Sequence, residues 1–398
     1  MYIILVGPGE GFPNGNASTS RINLYARGLI NAGGRVLILC LGPSEYPDVS
    51  ILNRDVKGDK DGVEFEYTSG TPIRGKTHIE QKWLVFKGFV MAAWRIWCLN
   101  NTKCVNALIL YSDRGIAILF FWFIAKLCRA KYIYECNEQP FYQAEYSIFW
   151  RVVSFIFTHT LYLLFDGAIV ISNYLCEYML KRMRPSASLL KVPILVDVEQ
   201  FSSVTSSALI SGKYIAYCGT LNEAKDGVYT LMKAYAKIYD EFPNLKLVLI
   251  GDTIKESRIT TFRFYAENLG ISDRVVFTGR VARNELPSYM AHASLLALAR
   301  PYSRQSEAGF STKLGEYLVT GKPVLVTKTG EISDYLEDNT NIFMAPPNDV
   351  AAFAERIRYI LLHANEAEVV GRNGRDAAFR HFDYRENGRK IKNFIDHL

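Results

Sequence analysis

The chain has 398 residues, of which 49% are hydrophobic and 22% are charged, and its formal net charge is +6. These values are those of a globular protein and exclude a disordered chain. The length is sufficient for two or three domains with sizeable buried cores.

In the first half of the chain, strand-like apolar runs alternate with segments of helical length. The predicted strands lie near residues 2–6, 36–40, 63–67, 107–110, 132–134, 168–171 and 190–193. The predicted helices between them lie near residues 18–31, 79–99, 115–129, 145–164 and 173–182. This alternation indicates a parallel sheet that is covered by helices on both faces.

A glycine-rich loop, "VGPGEGFPNGNAS", follows the first strand. Gly7 and Gly9 match the first two glycines of the dinucleotide-binding pattern GxGxxG, but Phe12 occupies the place of the third. The second strand, "RVLILCLG", ends without the acidic residue that would bind a ribose. The match to a hydride-transfer site is therefore weak.

Two other interpretations of this loop are open. It can line a ligand-binding cleft, with Gly15, Asn16 and Ala17 close to the ligand, or it can be an ordinary turn. Ser18 or Thr19 is predicted to cap the helix that follows, because short hydroxyl side chains are favoured at that position.

The segment from Arg74 to Lys131 is strongly basic and aromatic. It contains ten Lys/Arg and two acidic residues, a net charge of +8. The tryptophans of the chain all fall in this segment or just after it, and they are Trp83, Trp94, Trp97, Trp122 and Trp150. Its part "IEQKWLVFKGFVMAAWRIWCL" has apolar residues at near-helical spacing.

This pattern has two interpretations. It is either a core helix with cationic edges, or an interfacial helix that binds an anionic membrane surface through residues 79–131. No nucleic-acid partner is predicted, since the chain has no recognition motif and the basic segment has the apolar content of a buried or interfacial helix.

No signal peptide or transmembrane helix is predicted. The first residues, "YIILVG", are typical of a buried strand, and the apolar run "IAILFFWFIA" is too short to span a bilayer. The run "VVSFIFTHTLYLLFDGAIVI" is interrupted by His159, Asp166 and Gly167. The seven scattered cysteines lack CxxC spacing and indicate reduced thiols. We expect a cytoplasmic protein, peripheral on the inner face of the cell membrane if the interfacial interpretation holds.

A polar stretch, "EQFSSVTSSALISGK", is a candidate linker, and after it the alternation restarts. The further strands are "YIAYCGT", "LKLVLIGD", "RVVFTG", "SLLALA", "KPVLVT" and "NIFMA", with helices near 226–240, 255–269 and from about 349. The predicted domains are 1–200 and 201–382, with the C-terminal helix 383–398 as a candidate to complete the first. The predicted fold is α/β, with two Rossmann-like doubly wound domains facing across a ligand-binding cleft.

The sequence "YCGTLNEAKDG" repeats the strand–loop–helix pattern at the start of the second domain. Gly219 lets the backbone approach a ligand. Lys225 lies near the start of the next helix, where free N–H groups favour anions and a lysine can bind a diphosphate. The alternative is a solvated lysine beside a helix start.

The segment "GFSTKLGEYLVTGKPVLVT" predicts a short helix, capped by Ser311 or Thr312 and ended by Gly321. Lys313 lies in its first turn, where a cation opposes the helix dipole unless an anionic ligand binds there. Glu316 lies one turn after Thr312, and its carboxylate can accept two hydrogen bonds from a ribose diol. Alternatively, Glu316 only favours the helix start.

The segments "CGTLNEAKDG", "LVLIGD", "VVFTGR", "GFSTKLGEYLVTGKPV" and "NIFMAPPND", in this order, resemble the nucleotide-sugar half of retaining glycosyltransferases. The resemblance is to the GT-B fold and the broad group 1/family 4 class, and it covers most of residues 213–360. In addition, "LVDVEQF" resembles the inter-domain hinge of the family, and the N-terminal glycine loop resembles its acceptor-side loop.

The resemblance implies roles for individual residues. It implies that Lys225 binds the donor diphosphate, that Glu316 binds the ribose, and that the amides of Gly309, Phe310 and Ser311 approach the sugar or phosphates. The complete predicted diphosphate set is Gly219, Thr220, Lys225, Arg280, Ser311, Thr312 and Lys313, with Gly309 and Phe310 at the sugar. It also implies no metal or other cofactor, because cationic side chains and a helix N-terminus balance the leaving-group charge.

Three positions depart from the family pattern. The family has two glutamates separated by seven residues, but Ala308 occupies the first position, and Glu307 lies one step earlier. Thr220 stands where the family commonly has an arginine, which leaves Arg280 or Lys313 as the second cation. Asn137 stands where many relatives have a histidine, and it cannot exchange a proton at neutral pH. The predicted catalytic residues are Glu307 and Asn137.

The predicted function is the transfer of a hexose-type sugar from a UDP- or GDP-sugar to a glycan or lipid-linked acceptor, with retention of configuration, in surface polysaccharide or glycoconjugate synthesis. The alternatives are a non-catalytic nucleotide-sugar-binding subunit of a transferase complex, and an epimerase or phosphorylase of the same fold.

Overall fold

The computed structural model describes residues 1–7, 11–47, 51–138, 155, 159–200, 207–253 and 259–398. The chain divides into two compact units. The N-terminal unit comprises Met1–Leu195 and Tyr384–Leu398, and the C-terminal unit comprises Val196–Asp383.

The N-terminal unit contains an eight-stranded sheet in the order β3-β4-β2-β1-β5-β6-β7-β8. Its strands are β1 (Tyr2–Val6), β2 (Arg35–Cys40), β3 (Lys57–Lys60), β4 (Val63–Tyr67), β5 (Ala107–Leu110), β6 (Lys131–Cys136), β7 (Gly167–Val170) and β8 (Ser188–Lys191). All neighbouring strands are parallel except the edge pair β3–β4. The central strands are apolar and fully buried, as expected for a sheet with both faces covered.

The described helices of this unit are α1 (Ala17–Asn31), α2 (His78–Lys103), α3 (Gly115–Cys128), α4 (Asn173–Leu180) and, after the C-terminal unit, α14 (Tyr384–Asp396). Helix α14 packs closely on α1 where two glycines meet. A Cβ atom on Gly388 would lie 2.4 Å from the Cα atom of Gly28. The C-terminal helix is therefore part of the N-terminal unit.

The predicted strands of this half are confirmed, and β3 is a strand that sequence reasoning missed. Its residues, "KGDK", are all exposed and have no apolar alternation. The predicted helix at 145–164 and the linker residues 201–206 lie mostly or wholly outside the described residues.

The predicted cap of α1 is wrong. Asn16, not Ser18 or Thr19, is the N-cap residue, and its side chain accepts hydrogen bonds from the amide and hydroxyl of Ser18 at 3.0 and 2.7 Å. The hydroxyl of Thr19 instead donates to the carbonyl of Gly11 at 2.8 Å.

The C-terminal unit contains a six-stranded, all-parallel sheet in the order β11-β10-β9-β12-β13-β14. Its strands are β9 (Lys213–Cys218), β10 (Leu245–Ile250), β11 (Val275–Gly279), β12 (Leu295–Leu298), β13 (Val324–Thr327) and β14 (Phe343–Ala345). The strand order reverses between β9 and β12. This is the doubly wound arrangement, in which ligands bind beside the switch point at the carboxyl ends of the strands.

The described helices of the C-terminal unit are α5 (Glu223–Asp226), α6 (Val228–Ile238), α7 (Ile259–Asn268), α8 (Leu286–Ala291), α9 (Arg304–Ala308), α10 (Thr312–Val319), α11 (Ile332–Tyr335), α12 (Val350–Leu362) and α13 (Ala364–Phe382). The predicted α/β fold with two Rossmann-like units is confirmed. In the described parts of the chain, no helix is long and apolar enough to cross a membrane.

Candidate donor site in the C-terminal unit

The candidate site lies at the switch point of the C-terminal sheet, where the loops after β9 and β12 meet. Gly227 follows α5 with a φ of 68°, and a Cβ atom there would lie 1.8 Å from the carbonyl oxygen of Ala299, directly after β12. Only glycine allows the two loops to approach this closely. The segment from β9 to α5 and the segment from β12 to α10 therefore form one rim.

Lys313, in the first turn of α10, points to the α5 side of this rim. Its Nζ lies 2.8 Å from Oδ2 of Asp226, and the hydroxyl of Tyr217 donates to the same oxygen at 2.9 Å. Asp226 is 3% exposed, whereas the Lys313 side chain keeps 19% of its surface. A buried carboxylate thus holds a partly exposed ammonium group beside the switch point.

The side chain of Lys313 crosses the backbone at Gly219. A Cβ atom on Gly219, whose φ is 147°, would lie 2.1 Å from Cε of Lys313. The space beside the Cα of Gly219 is thus occupied by the stem of Lys313. The approach of the Gly219 backbone to a ligand stays a prediction.

Tyr317 joins α10 to the end of β9. Its hydroxyl accepts a hydrogen bond from the amide of Cys218 at 2.6 Å and donates to the Cys218 carbonyl at 3.2 Å. Burial raises the pKa of Tyr317 well above its ordinary value of 10.0, so the hydroxyl stays neutral and can fill both roles. This link fixes the start of α10 against the loop after β9.

Glu316 is half-buried on α10. Burial raises the pKa of its carboxyl above the ordinary value of 4.5, while the charges of Arg283 and Lys313 act in the opposite direction. In the described residues we find no hydrogen bond to its carboxylate, and its acceptor capacity is therefore available to a ligand. Arg283, which sequence reasoning missed, is the first of the two cations that act on Glu316.

The other predicted cations and Thr220 lie at the surface. Arg280 is exposed after the edge strand β11, two strands from β9, which is about 10 Å at strand level. Lys225 is exposed on α5, and Thr220 is exposed with its carbonyl oxygen 2.7 Å from the hydroxyl oxygen of Tyr217, whose one hydrogen is shared between this carbonyl and Asp226. The structure therefore brings Lys313 and Glu316 together on one helix. The diphosphate contacts of Arg280, Lys225 and Thr220 stay predictions.

The backbone amides at the start of α10 differ in whether they already donate a hydrogen bond within the protein. The amide of Gly309 donates to the carbonyl of Gln305 at 3.1 Å, and the predicted place of Gly309 at the donor sugar stays a prediction. For the amides of Phe310 and Ser311, no acceptor occurs within the described ranges. The Phe310 ring is 7% exposed and packs against Phe382 at 5.6 Å, so only its backbone can contact a ligand.

Ser311 stands at the N-cap position of α10, as predicted, but its side chain makes no capping hydrogen bond to any described residue. Thr312 is the first residue of the helix. The first-turn N–H groups are consequently not satisfied by a cap, and helix N-termini of this kind favour anions.

Glu307 lies near the end of α9, and its carboxylate contacts the backbone. Its Oε1 accepts a hydrogen bond from the amide of Gly330 at 3.0 Å. Ala308, at the family's acidic position, is 1% exposed. A catalytic role of Glu307 stays a prediction.

A buried arginine beside α9 was also missed by sequence reasoning. Arg300 follows β12, is 7% exposed, and lines a small cavity together with Gly309, Phe310 and Ser311. The signal in the sequence was a cation directly after the apolar run "SLLALA", at the strand end where ligands bind.

Four of the predicted site residues lie in the N-terminal unit. Asn137 follows β6, and its side-chain amide donates to the hydroxyl of Tyr111. Gly15, Asn16 and Ala17 are exposed.

The N-terminal loop contains the three positions of the partial GxGxxG match. Gly9 lies outside the described residues. Phe12, at the third glycine position, is fully buried and packs edge-on against Phe65 at 5.4 Å. A core side chain at this position argues against the dinucleotide-binding pattern.

Comparisons with known proteins show which family and fold the chain resembles. Residues 208–377, most of the C-terminal unit, match the family model of "Glycosyl transferases group 1". A GDP-mannose-dependent alpha-(1-6)-phosphatidylinositol monomannoside mannosyltransferase of Mycobacterium tuberculosis is 24% identical over 242 residues, 58% of this chain and 61% of the relative. The chain thus matches less than two thirds of the length of this curated relative.

Two solved structures show the same fold. The sucrose-phosphate synthase of Thermosynechococcus elongatus has a TM-score of 0.75 at 16% identity, covering 100% of this chain and 98% of that chain. Anabaena Alr3699/HepE in complex with UDP-glucose has a TM-score of 0.71 at 15% identity, covering 100% of both chains. The resemblance to group 1 glycosyltransferases of the GT-B fold that the sequence predicts is confirmed.

Proposed function

We propose, from the match of residues 208–377 to the family model of the group 1 glycosyl transferases, that this protein transfers a sugar from a nucleoside-diphosphate sugar to a glycan or lipid-linked acceptor. The observation that carries the proposal is the start of α10. There an uncapped helix N-terminus, the ammonium group of Lys313 and the unengaged carboxylate of Glu316 share two turns of helix at the switch point of the sheet.

In this proposal the diphosphate of the donor binds at the N-terminus of α10. The amides of Phe310 and Ser311 and the ammonium group of Lys313 meet its negative charge, and the exposed Lys225 on α5 adds a second cation. The carboxylate of Glu316 accepts hydrogen bonds from the two ribose hydroxyls. One helix thereby recognises both charged and polar parts of the nucleotide.

The chemical step follows from the same arrangement. Breaking the bond between the sugar and the diphosphate builds negative charge on the leaving group, and fixed donors aimed at that charge lower the barrier. Asp226 holds Lys313 in place before the reaction, so that little reorganisation is needed. Glu307 and Asn137 remain the residues that we predict to act at the sugar and acceptor, and no metal is part of the proposed mechanism.

The sugar, the nucleotide and the acceptor are proposed from the names of similar proteins. The mannosyltransferase relative is named for GDP-mannose, and the Anabaena neighbour was solved with UDP-glucose, which supports a hexose on UDP or GDP. Retention of configuration is proposed from the family resemblance. The phosphatidylinositol monomannoside in the name of the relative supports a lipid-linked acceptor.

A second candidate function is a nucleotide-sugar-binding subunit without catalytic activity. The buried Ala308 at the family's acidic position favours it, since no carboxylate can act there. An epimerase is a third candidate, and product analysis separates it because an epimerase needs no acceptor.

The test is a turnover assay of the purified protein with UDP- and GDP-hexoses and a membrane lipid extract as acceptor. We expect acceptor-dependent release of nucleoside diphosphate that Glu316→Ala abolishes. Sugar-nucleotide binding without any turnover would favour the binding subunit, and a changed sugar nucleotide without acceptor would favour the epimerase.

A further inference from the structure

Helix α2 exposes its large apolar side chains. Ile79, Trp83, Phe86, Val90, Trp94 and Trp97 are 81, 61, 59, 47, 58 and 50% exposed. With 100° per residue, these six positions fall within an arc of about 80°. Trp83 stacks loosely on Phe86 at 5.8 Å, and Trp94 on Trp97 at 5.3 Å, so the stripe is continuous along the helix.

The opposite face of α2 is the one that packs on the unit, and it begins with small residues. Gly88, Ala92, Ile96 and Leu99 are its buried residues. A Cβ atom on Gly88 would lie 1.7 Å from the carbonyl oxygen of Leu41, so the helix backbone is pressed against the unit. The interpretation of α2 as a core helix is therefore wrong for its aromatic stripe, which faces away from the core.

Helix α3 carries a second stripe of the same kind. Ile116, Leu119, Phe123 and Leu127 are 78, 47, 56 and 61% exposed, and their spacing of three and four residues places them on one face. The two helices are joined by Phe89, whose ring contacts Phe120 at 5.4 Å and Phe121 at 5.7 Å. We call the two exposed stripes together the α2–α3 surface. Contiguous exposed apolar side chains of this extent mark an interaction site.

The positive charge around this surface favours an anionic bilayer over a second copy of the chain as its partner. The segment 74–131 carries a net charge of +8, and Lys76, Lys82, Lys87 and Arg114 are exposed or at the edges of the two helices. A second copy of the chain, paired by a two-fold axis, would bring these like charges close together. A bilayer with anionic lipids accepts both the aromatic side chains and the cations.

We propose that the α2–α3 surface binds the protein to an anionic membrane, with the two apolar stripes in the interfacial layer and the lysines at the lipid headgroups. The proposal stands on the contacts and charges of the N-terminal unit alone, and it does not depend on the donor site. It deepens the proposed function by assigning to α2 and α3 the surface that brings the enzyme to a lipid-linked acceptor.

The experiment measures co-sedimentation of the protein with vesicles of phosphatidylcholine containing phosphatidylglycerol, and with vesicles of phosphatidylcholine alone. We expect binding to the anionic vesicles, a blue shift of tryptophan emission, and weaker binding at high salt. The double variant Trp83→Ser/Trp94→Ser is expected to lower the partition coefficient about ten-fold or more, because two amphipathic anchors are lost.

Matched control variants distinguish a loss of membrane insertion from a loss of the folded structure. Leu362→Ser removes a 65% exposed apolar side chain on α12 and should leave vesicle binding unchanged. Lys76→Glu/Lys82→Glu should weaken binding to anionic vesicles, whereas Lys390→Glu, exposed on α14, should not. Unchanged nucleotide binding by each variant confirms that it is folded.

Two outcomes would overturn the proposal. One is equal sedimentation of wild type and the Trp83→Ser/Trp94→Ser variant with anionic vesicles. The other is a wild-type dimer in analytical ultracentrifugation that the same variant converts to a monomer, with no vesicle binding by either. In both cases the donor titration, which uses no membrane, would still report separately on the proposed function.

Discussion

The ammonium group of Lys313 is held by the carboxylate of Asp226, with 2.8 Å between Nζ and Oδ2. The two residues lie 87 positions apart, and each follows a different strand at the switch point of the C-terminal sheet. Asp226 is almost fully buried and also accepts from Tyr217, so it cannot leave the site without cost. Lys313 is therefore positioned for a ligand before any ligand binds.

Asp226→Asn tests this relationship. The amide keeps the shape but removes the charge that holds Lys313, so we expect about 1–3 kcal/mol less stability and about ten-fold weaker nucleotide affinity. Urea denaturation and calorimetry measure the two effects. Asp240→Asn, at an exposed position of the same unit, is the control and should change neither quantity. Unaltered nucleotide affinity in Asp226→Asn would show that the ion pair does not position Lys313.

Gly219→Ala should act on the ligand through Lys313. The new methyl group would lie 2.1 Å from Cε of Lys313 and must displace it, which should reduce nucleotide affinity. Gly212→Ala is the matched control, because its φ of 83° imposes similar backbone strain while the nearest atom is 4.0 Å away. We expect both variants to lose about 1 kcal/mol of stability and only Gly219→Ala to lose affinity. Equal nucleotide affinities of Gly219→Ala and Gly212→Ala in calorimetry would contradict the position of the Lys313 side chain beside Gly219.

The raised pKa of Glu316 predicts a pH-dependent stability. Between the unfolded value near 4.5 and the raised folded value, the folded state binds more protons than the unfolded state. The contribution of Glu316 to the free energy of unfolding is therefore fully present below the unfolded pKa. It is lost as the pH rises through the folded pKa. In urea denaturation, the stability of wild type relative to Glu316→Gln should fall as the pH rises from the unfolded pKa of 4.5 through the raised folded pKa. A constant difference between the two proteins would contradict a raised pKa.

The N-terminal unit contains a buried ion pair, Arg21–Glu135, with both side chains at most 1% exposed and 2.9 Å between Nε and Oε1. Arg21→Met would leave Glu135 buried without its cation, and we expect a loss of about 3–5 kcal/mol. Arg95→Met breaks the more exposed pair with Glu66 and should cost at most about 1 kcal/mol. Thermal denaturation compares the stabilities of the two variants. Similar losses of stability in both would show that the buried ion pair contributes no more than the exposed one.

The proposed mechanism also predicts that a chelator leaves activity unchanged. Because Lys313, Lys225 and the α10 amides are proposed to balance the diphosphate charge, turnover should be the same with and without EDTA. Full inhibition by EDTA that Mg²⁺ reverses would show that a metal ion carries part of this charge.

Much of the fold could be predicted from the sequence, because buried parallel strands are continuous apolar runs and the helices between them have clear limits. The exposed strand β3 lacks that signal and was missed. The aromatic stripe of α2 shows the limit of periodicity, since spacing identifies one apolar face but does not tell whether that face is turned towards the core or away from it.

The candidate site was predictable where the signal is local. Lys313 and Glu316 are close in sequence and share α10, so the motif alone brought them together. Asp226 was missed because its contact with Lys313 depends on two distant strand ends. Arg283 rather than Arg280 acts on Glu316, and no spacing rule distinguishes two arginines in one loop.

The most direct test of the account is calorimetric titration of the purified protein with UDP, GDP and ADP, beside Lys313→Ala and Glu316→Ala. Lys233→Ala and Glu267→Ala, both exposed on other helices of the same unit, are the matched controls. The account predicts micromolar binding of one nucleotide, about −8 kcal/mol, that is lost in both site variants and kept in both controls. Absence of binding by all three nucleotides, or equal binding by Lys313→Ala and Glu316→Ala, would contradict a donor site at the start of α10.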